Sequence, residues 1–185
     1  MYKQCRTEQS ASRQRLLEQG LLEAMLTTHY DELSVSDLCA RMGIPRKSFY
    51  RYFSSKEGAL HALLDHALLD FREFCEPEKQ GENTQMERVF LYWKQQKPLL
   101  DALERSSLSD ELIQRAIHYS PEAMTRRLLP RDAQLVQKYR IIFVVCGLLS
   151  IVIQWHHDGY SQPPEQMAKI TLDLASKPLF TDAIY

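Results

Sequence analysis

The chain has 185 residues, of which 44% are hydrophobic and 25% are charged, with a formal net charge of −1. This composition is typical of a folded globular protein and excludes disordered, fibrous and strongly basic, histone-like classes. The longest apolar run, residues 141–153, is shorter than the roughly 20 residues of a membrane-spanning helix, and no apolar signal segment follows Met1. We therefore expect a cytoplasmic protein that does not contact a membrane.

Residue spacing gives no sign of a metal or catalytic centre. The four cysteines are far apart and form no CxxC pair, which favours reduced thiols over a disulfide framework or a zinc site. No glycine-rich phosphate loop, serine–histidine–aspartate spacing or carboxylate pair stands out. We expect neither an enzyme nor a bound metal or cofactor.

The N-terminal region begins with two predicted helices. Leucine and methionine recur every three or four residues between Ser12 and His29, which indicates an amphipathic helix. Ser34 and Asp37 form a capping box in front of a second, short helix, Val35–Met42. Both helices are expected to turn an apolar face towards a common core.

A third predicted helix runs from Pro45 to about Phe53. Gly43 lies at the position where a helix end favours a left-handed residue, so the second and third helices form a helix-turn-helix. Phe49 and Phe53 are four residues apart and are expected to pack against the second helix. The opposite face carries Arg46, Lys47, Ser48, Tyr50 and Arg51.

Longer helices are predicted in the remainder. Ser54–Glu57 is a second capping box, which opens a helix that ends near Cys75. No stretch alternates polar and apolar residues for long enough to predict a strand. We expect an all-α protein in which residues 54–75 connect a small N-terminal unit to a larger helical unit. Further helices are predicted at 84–97, 98–106, 109–119, 121–129, 133–157 and 164–176.

A positively charged window indicates that the helix-turn-helix binds DNA. Residues 41–56 include five Lys or Arg and no Asp or Glu. In the major groove, Arg or Lys on the first turn of a recognition helix pairs with guanine edges, and tyrosine hydroxyls contact phosphates. A phosphate is also attracted to the N-terminus of the next helix. The expected DNA contacts are Ser34, Ser36, Arg46, Lys47, Ser48, Tyr50, Arg51, Tyr52 and Lys56.

The segment from Leu33 to Leu60, LSVSDLCARMGIPRKSFYRYFSSKEGAL, closely resembles the DNA-binding signature of TetR-type transcription regulators. The resemblance covers roughly residues 12–65. It implies an all-helical homodimer in which residues 1–53 bind a double-stranded DNA operator. The remainder, residues 54–185, is then expected to bind a small-molecule effector and to dimerise. On this resemblance we expect a repressor of a palindromic operator that the effector releases.

The C-terminal region more weakly resembles the branch that includes dihydroxyacetone-kinase operon regulators. That branch contains both repressors and activators, so the resemblance leaves the sign of regulation open. The matching residues are Tyr139, Phe143, Gly147, Trp155 and Gly159, followed by Pro163, Pro164 and Glu165.

The apolar stretch 141–153 predicts a dimer interface. A helix that is hydrophobic nearly all round must be buried on every side, and a second copy of the chain can cover the face that its own domain leaves free. Helix 164–176 is expected to contribute to the same interface. The alternative is a core helix within one chain. The expected interface residues are Phe143, Gly147, Ser150, Ile151 and Gln154.

Several aromatic residues and one histidine are candidates for the lining of an effector cavity, although plain core packing is an alternative for them. Two other functions stay open at this point. One is an effector-independent activator or architectural DNA binder of the same fold, and the other is a helical ligand-binding or enzymatic protein whose N-terminal unit contacts only proteins. The candidate cavity residues are Phe90, Trp93, His118, Tyr119, Tyr139 and Phe143.

Overall fold

A computed structural model describes residues 2–3, 5, 7–76, 84–119 and 131–176. Within these ranges the chain contains helices and no β-strand, which confirms the predicted all-α fold. A short 3₁₀-helix, Tyr30–Glu32, lies between the first two α-helices. The α-helices of the described residues are α1 (Glu8–Met25), α2 (Val35–Arg41), α3 (Arg46–Tyr50), α4 (Lys56–Phe74), α5 (Gln85–Gln95), α6 (Lys97–Arg105), α7 (Ser109–Tyr119), α8 (Arg131–His157) and α9 (Pro164–Ser176).

Side-chain caps determine where the first helices begin. The predicted capping box of α2 is confirmed, because Ser34 Oγ accepts from the backbone N–H of Asp37 while the Asp37 carboxylate accepts from that of Ser34. In α4 the predicted cap is wrong by one position. Ser55, and not Ser54, is the N-cap, and its hydroxyl oxygen accepts from the N–H of the third helical residue.

The observed helix limits lie close to the predicted ones. The largest shift is at α1, which begins at Glu8 because the Thr7 hydroxyl oxygen caps the helix by accepting from the N–H of Ser10. The 3₁₀-helix Tyr30–Glu32 was not predicted. The predicted helix 121–129 lies outside the described residues.

One hydrophobic core connects the N-terminal helices to the rest of the chain. α1 packs against α4 and α6, and α4 packs in addition against α5 and α7. α8 lies mainly on α7, and α9 covers α5. Phe90 and Trp93 of α5 are almost completely buried between these layers. α4 is therefore held by the N-terminal helices at one end and by the C-terminal helices at the other.

α8 is apolar around its circumference but is only partly covered. By length and composition alone, residues Ala133–His157 could cross a membrane, and 17% of their most apolar stretch is buried inside the structure. Much of the apolar surface of α8 is thus exposed in the single chain. The exposed apolar side chains of α8, with their exposed fractions, are Leu135 (58%), Val136 (68%), Tyr139 (60%), Phe143 (66%) and Val144 (45%).

Candidate nucleic-acid interface and effector cavity

A tight turn joins α2 to α3. Gly43 has a φ of +63°, the left-handed conformation that glycine adopts without a steric penalty. Its N–H donates to the Ala40 carbonyl, and the N–H of Ile44 donates to the Cys39 carbonyl. This pair of hydrogen bonds is a Schellman motif, which ends α2 and fixes the direction in which α3 begins.

Two buried phenyl rings hold α3 in place. Phe49 and Phe53 are fully buried, and their ring centroids are 5.2 Å apart. An isolated helix of five residues is unstable in water, so packing has to supply the stability of α3. The burial of these two side chains therefore sets which face of α3 points outwards.

The outward face of α3 is cationic and phenolic. Arg46, Lys47 and Arg51 are exposed, and the Arg46 guanidinium donates a hydrogen bond to Tyr50 Oη at 3.3 Å. Lys47 and Arg51 form no hydrogen bond or ion pair with the described part of the chain. Ser48 is half-buried beside them. Two cations are thus free to meet an anionic partner.

The two predicted serine contacts lie at the exposed start of α2. The Ser34 hydroxyl is bound to Asp37, and this hydrogen bond holds the pKa of the Asp37 carboxyl below its usual value. Ser36 is exposed, and its hydroxyl has no partner among the described residues. Ser36 is therefore the freer of the two donors.

Two predicted contact residues lie differently from the expectation. Tyr52 is 7% exposed, so its ring belongs to the core beside Phe53 and not to the outward face. Lys56 is half-buried, with Nζ donating to the Tyr30 carbonyl at 2.7 Å and lying 4.1 Å from the centre of the Tyr30 ring. A lysine in the first turn is repelled by the helix dipole, and the carbonyl and the ring face compensate for this.

A cavity of about 520 Å³ lies where α4, α5, α7 and α8 meet. Most of its lining is aliphatic or aromatic, including Leu68, Val89 and Leu149. Polar groups contribute at a few points, which are Arg72, Cys75, Glu76, Gln85 and Tyr119. A largely apolar lining with a few polar groups is the usual character of a small-molecule site.

Two family models match the chain. The family described as bacterial regulatory proteins, tetR family, matches residues 22–63, and the transcriptional regulator C-terminal region matches residues 83–177. The second match alone spans more than half of the chain. The chain belongs to the tetR family. It is accordingly a DNA-binding transcriptional regulator and not an enzyme, as the sequence predicts.

Solved structures share the fold of this tetR-family regulator at low sequence identity. The fatty acid degradation regulator FadR from Bacillus halodurans is 15% identical with a TM-score of 0.59, over 90% of this chain and 96% of that chain. The dihydroxyacetone kinase operon activator DhaS is 14% identical with a TM-score of 0.53, over 89% and 94%. A tetR-family regulator from Streptomyces coelicolor is 22% identical with a TM-score of 0.52, over 90% and 80%. No curated protein is similar enough in sequence to match the regulator.

Only two of the six residues that the sequence predicts for an effector cavity line this cavity. Trp93 and Tyr119 contribute to the lining. The other four do not line this cavity: Phe90 is fully buried outside the lining, His118 is exposed, and Tyr139 and Phe143 lie on the outer surface of α8. The apolar pattern of α8 is too uniform to indicate which of its faces points inwards.

The residues predicted for a dimer interface lie on the uncovered side of α8. Phe143, Gly147, Ser150 and Gln154 are exposed, and Ile151 is half-buried. Their spacing of three or four residues places them along one face. The opposite side of the helix, with Val145, Leu149 and Val152, faces the cavity. In α9, Ile170, Leu172 and Leu174 are also exposed apolar side chains.

The sequence interpretation missed a contact between the N-terminus and the helix-turn-helix. The N–H of Lys3 donates to the Tyr52 carbonyl at 3.0 Å, and Tyr2 forms an isolated antiparallel bridge with Phe53. A pairing this short has no periodicity that a sequence could reveal. Arg41, one of the five basic residues, is bound by the hydroxyls of Thr27 and Thr28.

Replacing Lys56 by methionine is expected to destabilise the regulator in the absence of DNA by about 1–2 kcal/mol, because the ammonium loses its hydrogen bond to the Tyr30 carbonyl and its contact with the ring. The matched change Lys47→Met removes an unpaired, exposed cation and should alter the free energy of unfolding by less than about 0.5 kcal/mol. Urea unfolding measures both values. Equal effects would contradict the position of Lys56.

Proposed function

We propose that this regulator is a cytoplasmic repressor that binds a palindromic operator as a homodimer and is released when a small, mainly apolar molecule fills the cavity. The observation that carries the proposal is the exposed face of α3, with two cations that lack partners in the described part of the chain. Residues 1–53 would bind DNA, with 54–75 as the connector and 54–185 as the effector-binding and dimerisation domain. Repression follows where the operator overlaps a promoter.

The outward face of α3 suits the major groove. Arg46 and Lys47 stand on its first turn, where a recognition helix meets base edges. Each can pair with guanine, at about 1–3 kcal/mol of discrimination for a good bidentate contact. Tyr50 and Arg51, together with Ser36 on α2, are exposed and would contact phosphates and position the helix. Lys56 would join them by exchanging the Tyr30 carbonyl for a phosphate.

A homodimer built on α8 fits both the exposed apolar surface and the reading of DNA. Exposed side chains at Val136, Tyr139 and Phe143 are the largest part of an apolar face that one chain leaves uncovered. Small residues at Gly147 and Ser150 let a second helix approach closely, and a Cβ built on Gly147 would meet no atom within 4 Å. A two-fold dimer also brings two copies of α3 to successive major grooves, about 34 Å apart.

The cavity favours an effector with an apolar body and one polar end. Its volume of about 520 Å³ lies within the range for drug-sized ligands. Leu68, Val89 and Leu149 offer only dispersion contacts, so a ligand gains affinity there by burying apolar surface. Arg72 and Gln85 provide hydrogen-bond donors for a polar end group.

α4 connects the two sites. It begins at Lys56, next to the DNA-facing surface, and its last turns contribute Leu68, Phe71 and Arg72 to the cavity. A ligand that tilts α4 would change the separation of the two recognition helices in the dimer. A coupling free energy of about 3 kcal/mol would change operator affinity by roughly 150-fold.

Selection of bound duplexes from a random-sequence pool is expected to yield an inverted repeat with half-sites about one helical turn apart. With roughly 6–8 phosphates neutralised per dimer, the logarithm of the binding constant should fall with the logarithm of salt concentration at a slope near −5 to −7. Lys47→Ala should lower the preference for the selected site over random DNA by about 1–3 kcal/mol. Lys169→Ala, on α9, is the matched control. A salt-independent affinity, or no symmetric site, would contradict the proposal.

Phe143→Glu is expected to dissociate the dimer, because it buries a charge in the proposed apolar interface at a cost of several kcal/mol. The matched control Leu16→Glu introduces the same charge at an equally exposed apolar position on α1, with exposed fractions of 66% for Phe143 and 69% for Leu16. Sedimentation velocity should give a monomer for Phe143→Glu and a dimer for Leu16→Glu and the wild type. A wild-type monomer, or a dimeric Phe143→Glu, would count against the α8 interface.

Anilinonaphthalene sulfonate, which has an apolar ring system and one anionic end, serves as a probe of the cavity. We expect saturable fluorescence enhancement and a weaker affinity of the wild type for its selected duplex when the probe is bound. Leu148→Trp fills part of the cavity and should weaken probe binding about tenfold, whereas Leu16→Trp, at an exposed position on α1 outside the cavity and the proposed interface, should leave it unchanged. The effector role of the cavity would be contradicted if Leu148→Trp bound the probe as tightly as the wild type does, or if bound probe left the DNA affinity of the wild type unaltered.

A further inference from the structure

The N-terminal segment, by which we mean Tyr2 and Lys3, is attached through its backbone to Tyr52 and Phe53, shortly after the end of α3. The N–H of Lys3 donates to the Tyr52 carbonyl at 3.0 Å, and Tyr2 forms its antiparallel bridge with Phe53. Phe53 is one of the two rings that hold α3 in place. A displacement of the segment therefore acts directly on the end of the helix-turn-helix.

The side chain of Tyr2 reaches from this attachment to the middle of α4. Its hydroxyl donates to Asp65 Oδ2 at 2.6 Å, and its ring centroid lies 6.1 Å from that of His66. Asp65 is fully buried. Burial, with the hydrogen bond to Asp65, raises the pKa of Tyr2, so the phenol remains a hydrogen-bond donor at neutral pH.

The same carboxylate is bound by α7, which forms one wall of the cavity. Arg115 donates from Nε to Asp65 Oδ1 at 2.6 Å and from a terminal nitrogen to Oδ2. The Arg115 guanidinium lies 5.2 Å from the centre of the Tyr119 ring, and Tyr119 Oη lies 3.3 Å from Tyr2 Oη. Tyr119 and Ala116 both line the cavity.

The contacts that Tyr2 makes with Phe53, Asp65 and Tyr119 span the corner between α3 and α4. Together with the Arg115–Asp65 ion pair, we call these contacts the brace. Asp65 is nine residues beyond Lys56, which corresponds to roughly 14 Å along the helix. The linker between α3 and α4 could absorb a tilt of α4 by itself if nothing else joined the two helices. Tyr2 joins them a second time, so a movement of α4 at Asp65 is passed on to Phe53.

We propose that Tyr2 is a positioning residue that passes the state of the cavity wall to the recognition helix through Asp65, Arg115 and Tyr119. This inference rests on the proposed effector role of the cavity and adds the route by which occupancy reaches DNA binding. A ligand that displaces Tyr119 removes one partner of the Tyr2 hydroxyl and moves the turn that carries Arg115. Because the Asp65 carboxylate is fully buried, its donors have to move with it, and Tyr2 follows.

The test uses the full chain with three single substitutions that each delete one hydroxyl. Tyr2→Phe and Tyr119→Phe remove the two ends of the contact between the N-terminal segment and the cavity wall. Tyr92→Phe is the matched control, because its buried hydroxyl donates to the Ala67 carbonyl on α4 but touches neither the segment nor Asp65. Amide hydrogen exchange of residues 2–3 and 51–56 is measured without DNA or ligand. Affinity for the selected duplex is then measured with and without anilinonaphthalene sulfonate.

We expect Tyr2→Phe and Tyr119→Phe to speed exchange in both segments by roughly five- to tenfold, the effect of losing one hydrogen bond, and Tyr92→Phe to leave it within about twofold. The factor by which the probe weakens duplex binding should fall at least about fivefold in Tyr2→Phe, which a merely structural role would not alter. In the double variant Tyr2→Phe/Tyr119→Phe, the increase in exchange and the loss of the probe effect should be no larger than in the more affected single variant.

Unchanged exchange in Tyr119→Phe, an undiminished probe effect in Tyr2→Phe, or equal effects in Tyr92→Phe would each overturn the brace. Failure of the proposed function has a different signature. It appears in the wild type alone, as probe binding that leaves duplex affinity unaltered, whereas the exchange comparison decides on the brace without DNA or probe.

Discussion

The burial of Phe49 and Phe53 is the constraint on which the cationic outward face of α3 depends. α3 has only five residues and cannot be stable alone, so its orientation about its own axis is set by the side chains that it buries. The Schellman turn at Gly43 fixes the direction of the helix, and the two rings fix its rotation. Lys47 and Arg51 point outwards as a consequence of these two constraints, without any contact that holds the cations themselves.

α8 serves two surfaces at once because it is apolar all round. One side contributes Val145, Leu149 and Val152 to the cavity, and the other exposes Tyr139 and Phe143. A ligand in the cavity and a second chain on the outer face would then touch opposite sides of one rigid helix. A ligand that displaced α8 would in such an arrangement also change the geometry of the dimer.

The sequence predicts the features of this regulator that local chemistry determines. The capping box at Ser34, the left-handed Gly43 and the buried pair Phe49 and Phe53 follow from spacing alone, and all are confirmed. What sequence could not supply is the partner of a residue distant along the chain. Lys56 points towards Tyr30 because its ammonium binds the Tyr30 carbonyl and the face of the Tyr30 ring. A helical wheel of α4 does not show this partner, since Tyr30 lies outside the helix.

The hydrogen bonds around Lys56 connect the start of α4 to the C-terminal helices at a second point. The Tyr30 carbonyl accepts from Lys56, and the Tyr30 N–H donates to Ser106 Oγ at 3.0 Å, in the turn between α6 and α7. The following residue, Ser107, has a φ of +54°, a left-handed conformation that is uncommon for a residue other than glycine. Tyr2 holds the end of α3, while Tyr30 and Ser106 hold the start of α4. Tyr2 therefore connects one end of the α3–α4 corner to α7, and Tyr30 connects the other end to the turn between α6 and α7.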